Sequence, residues 1–149
     1  MKGQSSIEFL FMVAVFLVIV ASFTIPHMIN PARDTSDRTL SMGKTRTACD
    51  QLANSINGIS KSGDNSVDSL GVSIPQKWDL ELQTDPPHLN MTIYLEGKSV
   101  EVKNRLDYGF TASKSGLPPG YYTLIVEKTD EDKLVRAENK ITISLNPGE

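Results

Sequence analysis

With 149 residues, 15 lysines and arginines against 18 aspartates and glutamates, and a formal net charge of −3, the chain has room for one modest domain beside a membrane segment. It carries no basic stripe, so nucleic-acid binding has no electrostatic footprint. The single cysteine, Cys49, excludes an internal disulfide and leaves packing, partners or glycans to supply stability.

Residues 7–25 are apolar apart from Glu8, Ser22 and Thr24. At about 1.5 Å per residue, a helix of about 19 residues nearly crosses a hydrocarbon core of about 30 Å. The segment is apolar all round, which rules out a surface amphipathic helix. Phe9, Phe11, Phe16 and Phe23 gather most of the chain's phenylalanine here. Lys2 ahead of the segment predicts a cytoplasmic N-terminus with the rest of the chain outside. Glu8 stands at the lip of the segment, where an ionised side chain is expensive and tends to mark function. Three fates are open. A secretory signal is cut after the apolar run, and Val20-Ala21-Ser22 offers small residues for that. A plain transmembrane anchor stays uncut. A prepilin-type signal is cut before the run, between Gly3 and Gln4, so that the helix remains on the mature protein.

The order Lys2-Gly3-Gln4-Ser5-Ser6-Ile7-Glu8-Phe9-Leu10 resembles the class III signal of archaeal type IV pilins. Gln4, Ser6, Glu8 and Phe9 match that family's Q-x-S-x-E-F pattern, over a resemblance confined to residues 1–25. It implies that a prepilin peptidase cuts after Gly3 and that the mature chain starts at Gln4. Archaellins share this processing but usually lack the Gln/Glu pattern, so the resemblance points to an adhesion-type pilin. The residues themselves suggest why Glu8 is tolerated. Cleavage gives Gln4 a new α-amine, and a carboxylate in hydrocarbon needs a proton or a cation beside it. The α-amine of a neighbouring copy would supply one and fix the register of assembly, and Glu8 and Phe9 are the expected assembly residues.

Pro26 and Pro31 follow. Proline removes a helix hydrogen bond and clashes with the preceding turn, so either the membrane helix ends here or one long helix carries a kink. Pilins often have a proline about here, which by resemblance favours the kink. Asp34-Thr35-Ser36-Asp37 then supplies capping and first-turn residues. Leu40, Cys49, Leu52, Ile56 and Ile59 recur at helical spacing, with Gly43 and the polar run from Lys44 to Thr47 weakening the middle, and Gly63 is a stop.

From Ser66 the period changes to two. Leu70, Val72 and Ile74 alternate, as do Trp78, Leu80 and Leu82, then Leu89, Met91, Ile93 and Leu95. Glu96-Gly97-Lys98-Ser99 turns the chain into Val100 and Val102. Tyr108-Gly109-Phe110 reads as a short strand, Tyr122, Leu124 and Val126 as another, and one or two more end in Ile141, Ile143 and Leu145. Pro86-Pro87 and Pro118-Pro119-Gly120 are turn signals. Some seven short strands with regular turns argue for an antiparallel sandwich. The phrase from Gly116 to Leu124 is similar to a turn-into-strand phrase common in immunoglobulin-like and transthyretin-like sandwiches.

Little in this head suggests chemistry. His27 and His88 lie far apart, each beside proline, and no Cys, His or carboxylate cluster has metal-ligand spacing. Cys49 falls on the helix stripe as a small core residue without a catalytic partner. Asp130-Glu131-Asp132 lacks the pattern of a calcium loop. No nucleophile elbow and no phosphate-cradling glycine loop occurs. Trp78, Tyr121 and Tyr122 offer either a carbohydrate platform or, as strand aromatics usually do, core. Asn90-Met91-Thr92 is the sole N-glycosylation sequon, and strand parity against Leu89 and Met91 turns Asn90 outward.

These readings predict an α+β chain. Residues 1–3 form a leader and 4–62 a long N-terminal helix, with a membrane or filament-core part at 4–25 and an amphipathic part at 34–62. Residues 66–149 form an immunoglobulin-like β-sandwich head. The expectation is a non-enzymatic, cofactor-free subunit of an extracellular surface filament. It would be inserted in the membrane before assembly, and its partners would be the peptidase, the pilus assembly platform and other copies of itself. Two alternatives stand beside it: a secreted or membrane-anchored sandwich that binds a sugar or protein, and a minor pilin that initiates or tips another filament.

Overall fold

The computed structural model describes residues 4–95, 97–138 and 140–145, with side chains from Ile7 onward apart from Asn30. The apolar run forms helix α1 (Gln4–Thr24), a five-residue π-helical turn follows (Ile25–Ile29), and helix α2 occupies Asn30–Ser60. Pro26 lies in the π turn and Pro31 is the second residue of α2. Each proline lacks the N–H that a carbonyl one turn earlier would receive, and an inserted extra residue is a common accommodation of an interrupted helical ladder. Helical structure therefore resumes past the prolines instead of ending at them. Hydroxyls on these helices bond back to the preceding turn, Ser22 to the Val18 carbonyl at 2.7 Å and Thr35 to the Pro31 carbonyl at 2.9 Å. Such back-bonding satisfies the hydroxyl without a partner element.

The chain divides into two compact units, with the boundary between Thr39 and Leu40, inside α2. In the first unit no described side chain is buried. The second unit holds the core. Its part of α2 buries Ala48, Cys49, Leu52, Ala53, Ile56 and Ile59, and the stripe is extended toward the N-terminus by Thr45 and Ser41. Leu40, expected on this stripe, is instead 58 % exposed. Stepping back by four from Cys49 reaches Thr45 and then Ser41, so small polar residues hold the positions that Leu40 misses. The Thr45 hydroxyl donates to the Ser41 carbonyl at 2.9 Å, which makes its burial affordable.

Among the described residues eight strands follow: β1 (Val67–Ile74), β2 (Trp78–Thr84), β3 (Pro87–Leu95), β4 (Lys98–Arg105), β5 (Ala112–Leu117), β6 (Gly120–Lys128), β7 (Lys133–Ala137) and β8 (Lys140–Leu145). They make two four-stranded sheets, ordered β1-β6-β8-β7 and β4-β3-β2-β5. The α+β class and the two-sheet head expected from the pattern are what the structure contains. All pairings are antiparallel except β6 with β8, which run parallel from Thr123↔Lys140 to Lys128↔Leu145. β8 enters between β6 and β7, which the alternation of side chains cannot reveal. Between β3 and β4 the chain turns through residues 96 and 97, of which Glu96 lies outside the described residues. Gly97 has φ +79°, a left-handed value that glycine adopts at little cost in a two-residue hairpin loop.

Tyr108-Gly109-Phe110, expected as a strand, forms none. Phe110 is buried, but Gly109 backs onto the chain at Thr84, where an added Cβ would stand 2.9 Å from the Thr84 Cα. The strand in this region is β5, whose largely exposed Ser-Lys-Ser stretch carries no alternation because it lies at a sheet edge.

Both sheets and α2 contribute to one hydrophobic cluster. Trp78 on β2 meets Tyr122 on β6 edge to face, with ring centroids 5.2 Å apart, a favoured aromatic geometry. The Tyr122 hydroxyl donates to the Pro118 carbonyl at 2.7 Å, an arrangement like the tyrosine corner of Greek-key sandwiches. α2 is tied to β1 and β4, one edge strand from each sheet. On the β1 side the Ser55 hydroxyl donates to Asp68 at 2.6 Å; on the β4 side Asn104 donates to Asp50 at 2.8 Å. Beyond β4, the Asp107 N–H donates to the side-chain Oδ1 of Asn57 at 2.7 Å and Lys61 pairs with the Asp107 carboxylate at 2.6 Å. A helix along two edges protects backbone groups that would otherwise recruit another chain.

Candidate functional site

The expected site residues fall on α1 and the π turn. Gly3 lies outside the described residues. Gln4 opens α1, and its side chain lies outside the description. Glu8 is exposed one turn later, without a hydrogen-bond or ion-pair partner among the described residues, and Phe9 beside it is 67 % exposed. From Ile7 to Phe23 the helix shows phenylalanine, leucine, isoleucine, valine and methionine on every side. This helix is long and apolar enough to cross a membrane. An exposed surface of this kind is the reverse of a soluble helix, which hides one stripe and wets the other. Its chemistry is association with lipid or with other apolar helices. Pro26 and Pro31 bracket the stretch where α1 gives way to α2, and the His27 ring stands 6.0 Å from that of Phe23.

The head's candidates are placed as follows. Asn90 lies in the middle of β3, between cross-strand partners Glu81 and Lys103, and is only 6 % exposed; its Oδ1 is buried without a hydrogen-bond partner. The outward exposure expected from parity is therefore not found. Parity sets a residue's face, but it does not set how far water reaches that face on a central strand. Cys49 is fully buried, with Sγ 3.7 Å from the Val102 carbonyl oxygen. Burial, with the Asp50 carboxylate adding to it and Arg46 opposing, pushes its thiol up to about 12, so at neutral pH it is a protonated core residue. Asp132 accepts the Tyr108 hydroxyl at 2.8 Å. His88 Nδ1 lies 2.7 Å from the Pro86 carbonyl oxygen. No group of three or more His, Cys, Asp or Glu placed to hold a metal ion occurs among the described residues.

Of the aromatic trio, Trp78 and Tyr122 are core, whereas Tyr121 is 62 % exposed. Two polar clusters had no signal in the sequence. Asp79 accepts both the Tyr94 hydroxyl, at 2.5 Å, and the Gly116 N–H, at 2.7 Å. That bond to the carboxylate raises the Tyr94 phenol above its ordinary value. Lys61 holds the Asp107 carboxyl below its ordinary value. Each joins residues far apart in sequence, so neither has a local pattern to read.

Comparison with protein-family models, with curated proteins and with solved structures finds no match. The architecture, an exposed apolar N-terminal helix and a two-sheet head, resembles that of a type IV pilin.

Proposed function

We propose that this chain is a structural subunit of an archaeal type IV pilus-like surface filament, released by a prepilin peptidase between Gly3 and Gln4. The observation that carries the reading is the contrast between the two units. The second has a complete core of its own, while residues 7–23 expose an apolar surface with a single carboxylate at its start. Each large apolar side chain of α1 gains about 1.5–3 kcal/mol on full burial. That gain is non-directional and favours lipid before assembly and other copies of α1 after it. Direction comes from Glu8. Paired with the α-amine of Gln4 in a neighbouring copy, both charges are compensated; one step out of register, neither is. The head then coats the filament and supplies adhesion.

Peptide mass spectrometry of the mature N-terminus on protein from the cell surface, with electron microscopy of sheared filaments, tests this. A start at Gln4 and filaments made of this chain are expected. A start at Phe23 would make the protein a secreted sandwich, and an intact Met1 a tethered one. Low abundance in filaments built of another subunit would make it a minor pilin. Glu8→Ala should leave the monomer in the membrane and abolish or slow filament formation; normal filaments from this variant would remove the register role.

A further inference from the structure

The register of β3 with β4 sets His88 opposite Arg105 and Asn90 opposite Lys103. Leu89 and Met91 are buried in the core, and Asn104 bonds to Asp50 of α2. Parity therefore turns His88, Lys103 and Arg105 together to the outer face of that sheet. With Pro86, Pro87 and Asn104 they line a cavity of about 560 Å3, within the range of roughly 300–1,000 Å3 typical of ligand pockets. No aspartate or glutamate lines it. A chain of net charge −3 thus gathers two cations and an imidazole round one cavity. Like-charge repulsion disfavours such a gathering unless an anion joins it.

Nearby acids leave the cations available. Lys103 meets Glu101 at 3.0 Å in a solvent-exposed pair, a weak contact that a ligand can replace. The Arg105 guanidinium makes no hydrogen bond or ion pair among the described residues; its charge is felt by Asp107, which Lys61 already holds at 2.6 Å. The walls are fixed from behind. The Leu106 N–H donates to the Pro87 carbonyl at 3.1 Å, and a Cβ on Gly109 would stand 3.2 Å from the Pro87 Cβ. His88 Nδ1 lies 2.7 Å from the Pro86 carbonyl oxygen. A carbonyl only accepts, so Nδ1 carries the N–H, and Nε2 is left without a partner among the described residues. Further along the same face Asp79, Glu81 and Glu101 restore negative charge, which bounds the patch and disfavours a polyanion.

We propose that this cavity binds a small organic acid, a single carboxylate carried on an apolar body. The planar fork of Arg105 takes the carboxylate, Lys103 adds its charge, and the proline rings with the methylene stems of both cations cover the apolar body. His88 joins from Nε2, which accepts in the neutral ring and donates once protonated. Arg105 and Lys103 on β4 oppose that proton, whereas Glu81 on β2, Asp85 in the β2–β3 turn and the bound carboxylate favour it. The site lies wholly within the second unit and does not rest on the filament reading; a tethered binding module would use it in the same way.

The test uses the full chain in zwitterionic micelles, titrated with cyclohexanecarboxylate, with acetate, and with cyclohexanemethanol as the neutral counterpart. The chain has two histidines, so the 1H–13C resonances of their Cε1 atoms, assigned with His88→Gln, report the site and an internal control. The His88 resonance should move to saturation with cyclohexanecarboxylate, and that of His27 should stay. Acetate, lacking the apolar body, should bind roughly threefold or more weakly, and the alcohol should move neither resonance. Bound acid should raise the pH at which His88 titrates and leave His27 unchanged. Arg105→Gln should weaken binding about tenfold. Lys133→Gln, which removes the same charge from an exposed position on the other sheet, should bind as the wild type does. Should Arg105→Gln unfold, Lys103→Gln takes its place, with a loss of roughly threefold. The proposal is overturned if cyclohexanecarboxylate at about 10 mM leaves His88 unmoved, or if the alcohol moves it as far. It is equally overturned if His27 moves alongside, which is partition into the micelle, or if the folded cavity variant binds as well as the wild type. None of these results would alter the N-terminal mass readout, so failure here and failure of the filament reading stay distinct.

Discussion

Cys49 shows how burial alone gives a residue its character. Its thiol sits in the core with a value pushed to about 12 from an ordinary 9.0. The unfolded chain therefore begins to ionise this thiol near its ordinary value, while the folded chain keeps it neutral until near 12. Stability from this group is complete below the ordinary value and is lost as pH rises toward the folded one. Cys49→Ala should cost roughly 1 kcal/mol at neutral pH for the lost sulfur packing. Near about pH 10.5 the difference between the two proteins should narrow, since only the wild type loses the thiol contribution. Denaturant titrations at both pH values measure it, and a gap that stays constant would mean that water reaches the thiol. Asn90 carries a second expectation at this scale. An amide 6 % exposed in mid-strand is a poor acceptor once the sheet has formed, so peptide mapping of native material should return it unmodified. A glycopeptide at Asn90 would require modification before the sheet closes.

Among the elements, α2 decides whether the sandwich is closed along one side. Ile56 is fully buried in the shared cluster and Leu40 is largely exposed, although both looked alike as apolar residues near helical spacing. Ile56→Ala should cost about 2–5 kcal/mol, and Leu40→Ala within about 0.5 kcal/mol in the unassembled protein. Thermal or denaturant unfolding in micelles compares them, and equal losses would place Leu40 on the buried face. The contrast also marks what the sequence could and could not reveal. Strands with a fully alternating apolar set, β2, β3 and β6, were legible because one face of each is core. β5 was not, since an edge strand of serine and lysine carries no period. The β6–β8 parallel pairing was hidden because alternation reports faces and never neighbours. The seat of Tyr121 over Gly71 was invisible for a related reason: only the β1–β6 register brings the two together. At the N-terminus the opposite holds, because the apolar run and Glu8 carry their meaning locally.

For the whole molecule, the position of the core makes a prediction about independence. Every member of the hydrophobic cluster lies between Ala48 and Leu145, and the boundary between the two units falls before Leu40. A fragment starting at Leu40 should therefore fold without detergent and unfold cooperatively, with a denaturant midpoint close to that of the full chain in micelles. A fragment starting at Lys61 should behave differently. It lacks the α2 contribution to the cluster and uncovers β1 and β4, the edge strands to which α2 is bonded. Exposed edges pair with other chains, so it should be destabilised and should aggregate. Size-exclusion chromatography with circular dichroism separates these outcomes. If the fragment from Leu40 proved molten, residues before it would have to contribute to the core, and the first unit could not serve purely for insertion and assembly. If it folds, the division of labour is physical. One part of the chain satisfies its apolar surface internally, and the other leaves its apolar surface exposed, which under the proposed function lipid and then further copies would cover.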